Sequence, residues 1–307
     1  KQILVFSFPL MISNVLQVLF NMADVAVVGR FAGSIALGAV GSTTTLVTLF
    51  TGLLIGMAGG VNVLAARFYG AKKEKDVQET THTAVIICLL TGILIMALGL
   101  LFANGILELL HTKDELIEGA ALYLRIYFLG MPALAIYNFG NAVFSAVGNT
   151  KKPLYYLATA GVINIILNLF FVIICKLDVA GVALASIISQ YTSAILILRA
   201  LFMTKEIYGL KLSMLKPNSQ KAGMILSIGV PSAIFQVANL FIQFGVNSFD
   251  ATMVAGNSAA ANADGLVYDV MAAFYTACSS FIGQNYGAGN KERVRNSYFV
   301  SLAYSFG

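Results

Sequence analysis

Three carboxylates lie within long apolar stretches of the sequence, at Asp24, Asp264 and Asp269. A charge in apolar surroundings is costly, so a carboxylate in such a place is a candidate for binding a proton, a cation or a cationic ligand. The alternative is a helix-end cap or a neutral structural acid. That alternative weighs more for Asp264 and Asp269, which lie nearer the start of a predicted helix. Asp24 is therefore the leading candidate for ion chemistry.

Amide side chains accompany these carboxylates at helical spacing. One polar stripe consists of Asn14, Gln17, Asn21 and Asp24, and a second consists of Gln236, Asn239, Gln243 and Asn247. At ~100° per residue the first stripe falls within an arc of about 80°. Amides are costly in apolar surroundings unless they are hydrogen-bonded or wetted, so the two stripes predict a shared polar cavity. The alternative is a set of interhelical amide bonds that serve packing alone.

Further polar side chains lie on the helices predicted between and beyond the two stripes. Asn138 and Asn141 form a stripe of their own, and with Asp264 and Asp269 they are candidates for lining the cavity. Asn164, Asn168 and Ser186 follow on the next two helices. Asn164 and Asn168 share a helix face because they are four residues apart.

The composition places these residues in a membrane protein. The chain has 307 residues, of which 58% are hydrophobic and 11% charged, against about 25% charged in soluble domains. So few charges exclude a soluble fold, and so much apolar material excludes disorder. Three scattered cysteines and two distant histidines suggest neither a disulfide framework nor a metal cluster. The net charge of +5 is explained by basic loops, so we expect no nucleic-acid partner.

Hydropathy predicts eight complete spans, since a membrane helix needs roughly 20 mainly apolar residues. The spans are 3–28, 35–66, 84–107, 119–147, 154–175, 179–203, 223–249 and 257–284, with a ninth that begins near 297. The first is too long for a signal peptide. Since the ninth stops within an apolar helix, we expect the chain to be truncated.

Lysine and arginine in the loops orient these spans. Fifteen of the nineteen lie at the N-terminus or after the second, fourth, sixth and eighth spans, three lie in the loops on the other side, and Arg125 lies within the fourth span. Because basic loops stay in the cytoplasm, this bias predicts a cytoplasmic N-terminus.

An internal repeat relates the two parts of the chain. Tyr69-Gly70-Ala71 corresponds to Tyr286-Gly287-Ala288, and Pro9 to Pro231. Because six spans separate equivalent points, the halves enter the membrane in the same direction and are related by an axis along the membrane normal. We expect a first lobe over 1–203, a cytoplasmic linker over 204–221 and a partial second lobe over 222–307. Asp24 corresponds to Val246, so the carboxylate of the first stripe has no equivalent in the second lobe.

Several short motifs follow one another along the chain. They are Asn21-Met22-Ala23-Asp24 with Val28-Gly29-Arg30, Tyr123-Leu124-Arg125-Ile126, Gly148-Asn149-Thr150-Lys151, Gly181-Val182-Ala183-Leu184-Ala185-Ser186 and Gly283-Gln284-Asn285-Tyr286-Gly287-Ala288. Together they resemble the multidrug and toxic compound extrusion (MATE) transporters over essentially the whole chain. The resemblance implies an all-α polytopic membrane protein of twelve helices in two six-helix lobes related by a pseudo-two-fold axis. This chain would cover about eight and a half of those helices, leaving the second lobe incomplete.

The resemblance also implies a cation site in the first lobe. It would fall on Asp24, Asn164, Asn168 and Ser186, with Gln17 nearby. Some family members carry a carboxylate at the position of Asn168 and a glutamate at that of Asn239. Because this chain has amides at both, we expect Asp24 to couple transport to H⁺ or Na⁺, with no other metal and no cofactor.

The favoured function is therefore secondary active efflux of lipophilic cations in exchange for H⁺ or Na⁺, by a monomer in the cell membrane and not by an enzyme. The first alternative is a lipid-linked saccharide flippase of the same superfamily, which would need several cationic residues in its cavity. The second is a channel or a non-transporting membrane scaffold. The internal repeat, and the absence of a carboxylate equivalent to Asp24 in its second copy, argue against this alternative.

Overall fold

The computed structural model describes the backbone of residues 2–110, 112–247 and 251–306, and the side chains of the same residues except 21, 235–266, 269 and 306. Within these residues the chain forms ten α-helices: α1 Gln2–Phe31, α2 Gly33–Gly70, α3 Glu74–Leu109, α4 Asp114–Phe128, α5 Met131–Ala146, α6 Lys151–Leu169, α7 Asp178–Met203, α8 Ser219–Asn247, α9 Ala251–Gly287 and α10 Lys291–Phe306. The predicted all-α class is confirmed.

Five helices of the described residues are long and apolar enough to cross a membrane, namely α1, α2, α3, α6 with its π-helical end, and α7. Leu101 and Ile195, on α3 and α7, are 76% and 62% exposed, as expected for side chains that face lipid. Each of five predicted spans, the first three, the fifth and the sixth, therefore corresponds to one helix of its own. The predicted spans 223–249 and 257–284, and the ninth from 297, overlap α8, α9 and α10.

The fourth predicted span, 119–147, is not one helix. It consists of α4 and α5, which meet at Leu129–Gly130 with a bend of 48°. The break arises because Pro132 occupies the first turn of α5. Proline lacks an amide hydrogen and restricts the residue before it, so α4 cannot continue through this point. The acidic Asp114 and Glu115 form the first turn of α4, at the end of the helix that favours negative charge.

Small residues let α2 pack closely against α8 and α9. A Cβ added at Gly70 would overlap the backbone of Gln284, and one added at Gly287 would overlap the backbone of Arg67. In the sequence repeat Gly70 corresponds to Gly287 and Arg67 to Gln284, both at an offset of 217 residues. The contact of Gly70 with Gln284 is therefore the same contact as that of Gly287 with Arg67, repeated across a pseudo-two-fold axis. We call these four residues the glycine contact.

The segment between α7 and α8 is bound to one face of α3. The amide of Lys211 donates to His82 Nε2 at 2.9 Å, and His82 Nδ1 lies 2.7 Å from its own helix at the carbonyl oxygen of Gln78. Because Nε2 accepts, the proton of the neutral ring is on Nδ1. The amide of Asn218 donates to Thr83 Oγ1 at 3.0 Å.

The first turn of α8 is held in the same way. Asn218 Oδ1 accepts from the amides of Gln220 and Lys221 at 3.0 and 3.1 Å and so caps α8. The Lys221 ammonium pairs with Asp76 of α3 and lies 3.9 Å above the ring of Phe68. The Lys221 side chain is only 6% exposed, so its charge depends on Asp76 for compensation.

We expect Asp76→Asn to lower the free energy of unfolding by roughly 1–3 kcal/mol, because it leaves the buried Lys221 ammonium without a counter-charge. Lys221→Met is expected to cost less, since Asp76 is 31% exposed and stays solvated. Denaturant unfolding of the detergent-solubilised protein measures both. Lys75→Met, which breaks the exposed Lys75–Glu79 pair on the same helix, is the matched control, expected within about 0.5 kcal/mol of the parent. Equal losses for Asp76→Asn and Lys75→Met would contradict this account.

Candidate functional site: a carboxylate among amides and a hydroxyl

The carboxylate of Asp24 lies between α1, α6 and α7 and is 8% exposed. Asn168 Nδ2 donates a hydrogen bond to Asp24 Oδ1, and the Ser186 hydroxyl donates to Asp24 Oδ2 at 3.2 Å. Asn168 Nδ2 also lies 3.1 Å from Asn164 Oδ1. The structure thus brings together the four residues assigned to the cation site, and their role as ligands stays a prediction.

The charge of Asp24 is held by hydrogen bonds and not by an ion pair. Among the described residues the ion pairs join Lys75 with Glu79 and Lys221 with Asp76, and neither involves Asp24. Asn168 Oδ1 is buried and has no hydrogen-bond partner among the residues that the structure describes. Oxygen atoms of carboxylates and amides are the ligands that hard cations prefer. Among the described residues the cluster therefore combines a carboxylate that has no ion pair with an acceptor that has no hydrogen-bond partner, which suits a proton or a small cation.

A close helix contact sets the position of Asp24. Phe20 lies one turn before Asp24 on α1, and Gly161 lies one turn before Asn164 on α6. A Cβ added at Gly161 would overlap the ring of Phe20, so α1 can approach α6 this closely only at a glycine. Sequence reasoning missed this pair, because phenylalanine and glycine are common in membrane helices and nothing local marks two residues that meet across the fold.

A second local feature places Ser186. Immediately after Asn168 and Leu169 the chain forms a π-helical turn, Phe170–Ile174, a distortion that is frequent at functional sites. Phe171 of this turn packs against Gly181 of α7, where an added Cβ would lie 3.0 Å from the Phe171 Cβ. This contact brings α7 against the end of α6, so Ser186 lies within reach of Asp24.

Two tyrosines of α4 border the carboxylate. Tyr123 and Tyr127 are buried, stack with ring centroids 5.8 Å apart, and lie close enough to Asp24 to interact electrostatically. Their aromatic bodies exclude water from one side of the cluster, which strengthens every electrostatic interaction within it.

The residues predicted to line the substrate cavity are less fully placed. Asn14 and Asn141 are half-buried, Gln17 is exposed, and Asn138 Nδ2 donates to the Leu134 carbonyl oxygen of its own helix at 3.0 Å. The side chains of Asn21, Gln236, Asn239, Gln243, Asp264 and Asp269 lie outside the described residues. The cavity between the lobes therefore stays a prediction.

We expect Gly161→Ala to reduce transport, by about tenfold if α1 moves away from α6 and separates Asp24 from Asn168 and by less if the Phe20 ring turns aside, because the new methyl group overlaps that ring. Gly105→Ala on α3, where an added Cβ meets no atom of the described residues within 4 Å, is the control and should transport normally. Phe20→Leu in the Gly161→Ala background should restore part of the activity by making room for the methyl group. A Gly161→Ala variant as active as the parent would contradict the proposed positioning.

An all-helical membrane bundle that buries a carboxylate among amide and hydroxyl groups is an architecture found in membrane transporters. The MatE family model matches residues 9–170 and 228–307. The chain therefore belongs to the MatE family, which is a family of transporters and not of enzymes. The predicted family membership is confirmed.

Individual relatives agree with this assignment. The probable multidrug resistance protein YpnP of Bacillus subtilis is 31% identical over 96% of this chain and 66% of its own length. The FAD transporter of Shewanella oneidensis is 24% identical over 97% of this chain and 68% of its own length. A crystal structure of a MATE transporter in a straight conformation superposes with a TM-score of 0.92 at 24% identity, over 100% of this chain and 69% of that one, and shows the shared fold. The chain spans about two thirds of the length of these relatives.

Proposed function

We propose that the protein is a secondary active multidrug efflux transporter, which exchanges organic compounds for H⁺ or Na⁺ bound at Asp24. The observation that carries the proposal is the buried carboxylate of Asp24, which within the described part of the chain has no ion pair and lies beside Asn168, whose Oδ1 has no hydrogen-bond partner there. Resemblance to a probable multidrug resistance protein supports efflux as the direction of transport.

In the proposed mechanism, Asp24 takes up the coupling ion while the cavity is open outward. A bound proton or cation competes with Asn168 and Ser186 for the carboxylate oxygens, so α1 loosens from α6 and α7. The other end of α1 packs against α9, where Phe6 and Phe281 meet edge to face at 5.4 Å. A shift of α1 is thereby transmitted from the ion site to the second lobe and changes the balance between the two lobe arrangements.

The proposed substrates are lipophilic cations. A buried negative charge with low-dielectric walls attracts a cation and makes an anion costly to bind. One alternative is a flippase for lipid-linked saccharides, whose pyrophosphate would need cationic partners in the protein. Another is a carrier of a different anion, such as the FAD named for the Shewanella relative. In the described cluster the charged group is a carboxylate, which favours the cation.

A transport panel tests this function. Membrane vesicles containing the complete protein are loaded with matched lipophilic cations or anions, and a proton or sodium gradient is imposed. Efflux of the cations that requires one gradient and is absent from vesicles without the protein is the expected result. Preferential movement of anions or of lipid pyrophosphates would overturn the multidrug proposal, and movement without any ion gradient would overturn coupling.

We further propose that the protein is a monomer in the cell membrane with a cytoplasmic N-terminus, and Cys175 provides a test of the orientation. Cys175 is exposed in the turn between α6 and α7, whereas Cys88 is buried. We expect a membrane-impermeant maleimide to label Cys175 in intact cells, because this turn would face outward. Cys175→Ser removes the labelled site and is the control. Labelling that requires permeabilised cells would reverse the orientation.

A further inference from the structure

A cavity of about 790 Å³ lies at the end of the bundle that the loop charges assign to the cytoplasm. Its walls come from the start of α1, the end of α2, the α5–α6 turn, the segment after α7, and α9. The side chains that determine its chemistry are Phe6, Tyr69, Lys151, Glu206, Tyr208 and Phe281. It is separate from the Asp24 cluster, since none of the cluster residues lines it.

Aromatic rings form much of this cavity. Phe6 of α1 and Phe281 of α9 meet edge to face with centroids 5.4 Å apart, so this part of the wall belongs to both lobes. Tyr208 is buried and packs against Phe144, with centroids 5.9 Å apart. Tyr208 also lies close enough to Glu206 and Tyr69 to interact electrostatically, which places a carboxylate beside two aromatic rings.

The α5–α6 turn forms the opposite wall and is fixed from two sides. The buried Thr150 hydroxyl donates to the carbonyl oxygen of Phe6 at 3.2 Å. Gln284 Nε2 of α9 donates to the carbonyl oxygen of Ala146 at 2.6 Å. Gly148 has a φ of +94°, which lets the chain reverse between α5 and α6. The cavity is thus a built feature that depends on α1 and α9 being together.

We propose that this cavity is a binding site for lipophilic organic cations that arrive from the cytoplasm, in which a substrate is held before the lobes open. The inference rests on the proposed function. The volume lies within the range of about 300–1,000 Å³ of sites for drug-sized molecules. The rings of Phe6, Tyr69, Tyr208 and Phe281 line the cavity, where an aromatic face can attract a cation, and the carboxylate of Glu206 lies beside them.

The one basic residue that lines the cavity, among the residues described, does not reverse this preference. Lys151 is exposed and can extend its ammonium into water. Glu206 is exposed as well, so its charge contributes modestly and the aromatic faces supply most of the discrimination. The site should therefore accept varied cations of apolar shape with moderate affinity.

Tryptophan fluorescence can locate the ligand, because these 307 residues contain no tryptophan, and the parent protein titrated in parallel gives the signal of any tryptophan elsewhere in the complete protein. Tyr69→Trp in the complete, detergent-solubilised protein places a reporter in the cavity wall, and tetraphenylphosphonium is titrated against it. Tyr155→Trp, at a position 64% exposed on α6 and outside the cavity, is the matched control for partition into the micelle. We expect a saturable change for Tyr69→Trp and a non-saturable one for Tyr155→Trp. Equal, non-saturable changes at both positions would overturn the proposal.

Charge variants complete the test. In the Tyr69→Trp background, Glu206→Gln is expected to raise the Kd about threefold, and Glu118→Gln, an exposed carboxylate of α4 outside the cavity, to leave it unchanged. Tetraphenylborate, with the same four phenyl groups and the opposite charge, should bind about five- to tenfold more weakly. Tighter binding of the borate would overturn the proposal.

Asp24→Asn separates this site from the proposed function, because it should leave saturable binding at Tyr69→Trp, with at most a changed Kd where α1 shifts at Phe6, while transport is lost. If saturable binding disappears with Asp24→Asn, the ligand sits at the ion site and the proposal fails. If vesicles show ion-driven efflux but the titration is flat, the cavity proposal alone fails. If binding is saturable and no efflux occurs, the cavity stands as a cation site and the efflux function fails.

Discussion

Asp24→Asn is expected to abolish ion-driven efflux, lowering it to the level of vesicles without the protein. Asparagine has nearly the shape of aspartate but no charge, so it can neither take up a proton nor neutralise a cation. The fold should survive the change. Asn168 Oδ1 is buried without a hydrogen-bond partner, so it can accept from the new amide after rotation of the Asn168 side chain.

Gradient-driven efflux of a lipophilic cation measures this effect, alongside protein yield and thermal unfolding. Asp114→Asn, which neutralises an exposed carboxylate at the start of α4, is the control and should leave efflux unchanged. Wild-type efflux by Asp24→Asn would remove Asp24 from the coupling step. Loss of efflux together with loss of folded protein would indicate a structural role, and Asn168→Asp combined with Asp24→Asn then tests whether a carboxylate in the cluster restores activity.

Gly70→Val should be nearly as severe. The glycine contact leaves no room for a side chain, because a Cβ at Gly70 would overlap the backbone of Gln284. Backbone atoms of two packed helices cannot yield as a flexible side chain can, so α2 and α9 must separate. The lobes then cannot close at this end, and we expect transport to fall at least about tenfold.

A cross-linking assay measures the separation directly. Asn62 Nδ2 lies 3.1 Å from the Ser280 hydroxyl, so a short bifunctional maleimide should join Asn62→Cys to Ser280→Cys when Cys88, Cys175 and Cys278 are replaced by alanine. Gly70→Val should slow this cross-link. Gly59→Ala, also on α2 but with no atom within 4 Å of the added Cβ, should not. Unchanged cross-linking and transport in Gly70→Val would contradict the contact.

Local sequence signals predicted those parts of the molecule that depend on one helix at a time. Asp24, Asn164, Asn168 and Ser186 were recognisable because each is a polar residue in an apolar helix, and the family resemblance grouped them. The break at Leu129–Gly130 had a local signal in Pro132, but the apolar content of 119–147 concealed it.

Contacts between distant segments had no such signal. His82 and Lys211 are 129 residues apart, and a histidine that accepts from a backbone amide cannot be distinguished in sequence from one that is exposed. The same holds for Phe20 with Gly161, whose importance lies in the space that a missing side chain leaves. These contacts depend on how the helices pack against each other. The periodicity of polar residues in the sequence shows only which face of a helix is polar, so it could not predict them.

The glycine contact has the geometry of an isologous interface, the kind that two identical subunits make in a homodimer, here within a single chain. In a homodimer a substitution always occurs twice, whereas here the two copies can diverge. Arg67 places its guanidinium 5.4 Å from the ring centroid of Tyr286, while its equivalent, Gln284, donates to Ala146. The backbone contact has kept its symmetry while the side chains that support it have become different. A single chain can therefore carry a carboxylate in one half alone, since Asp24 corresponds to Val246 in the sequence repeat. Its two halves can still pack against each other through a symmetric backbone contact.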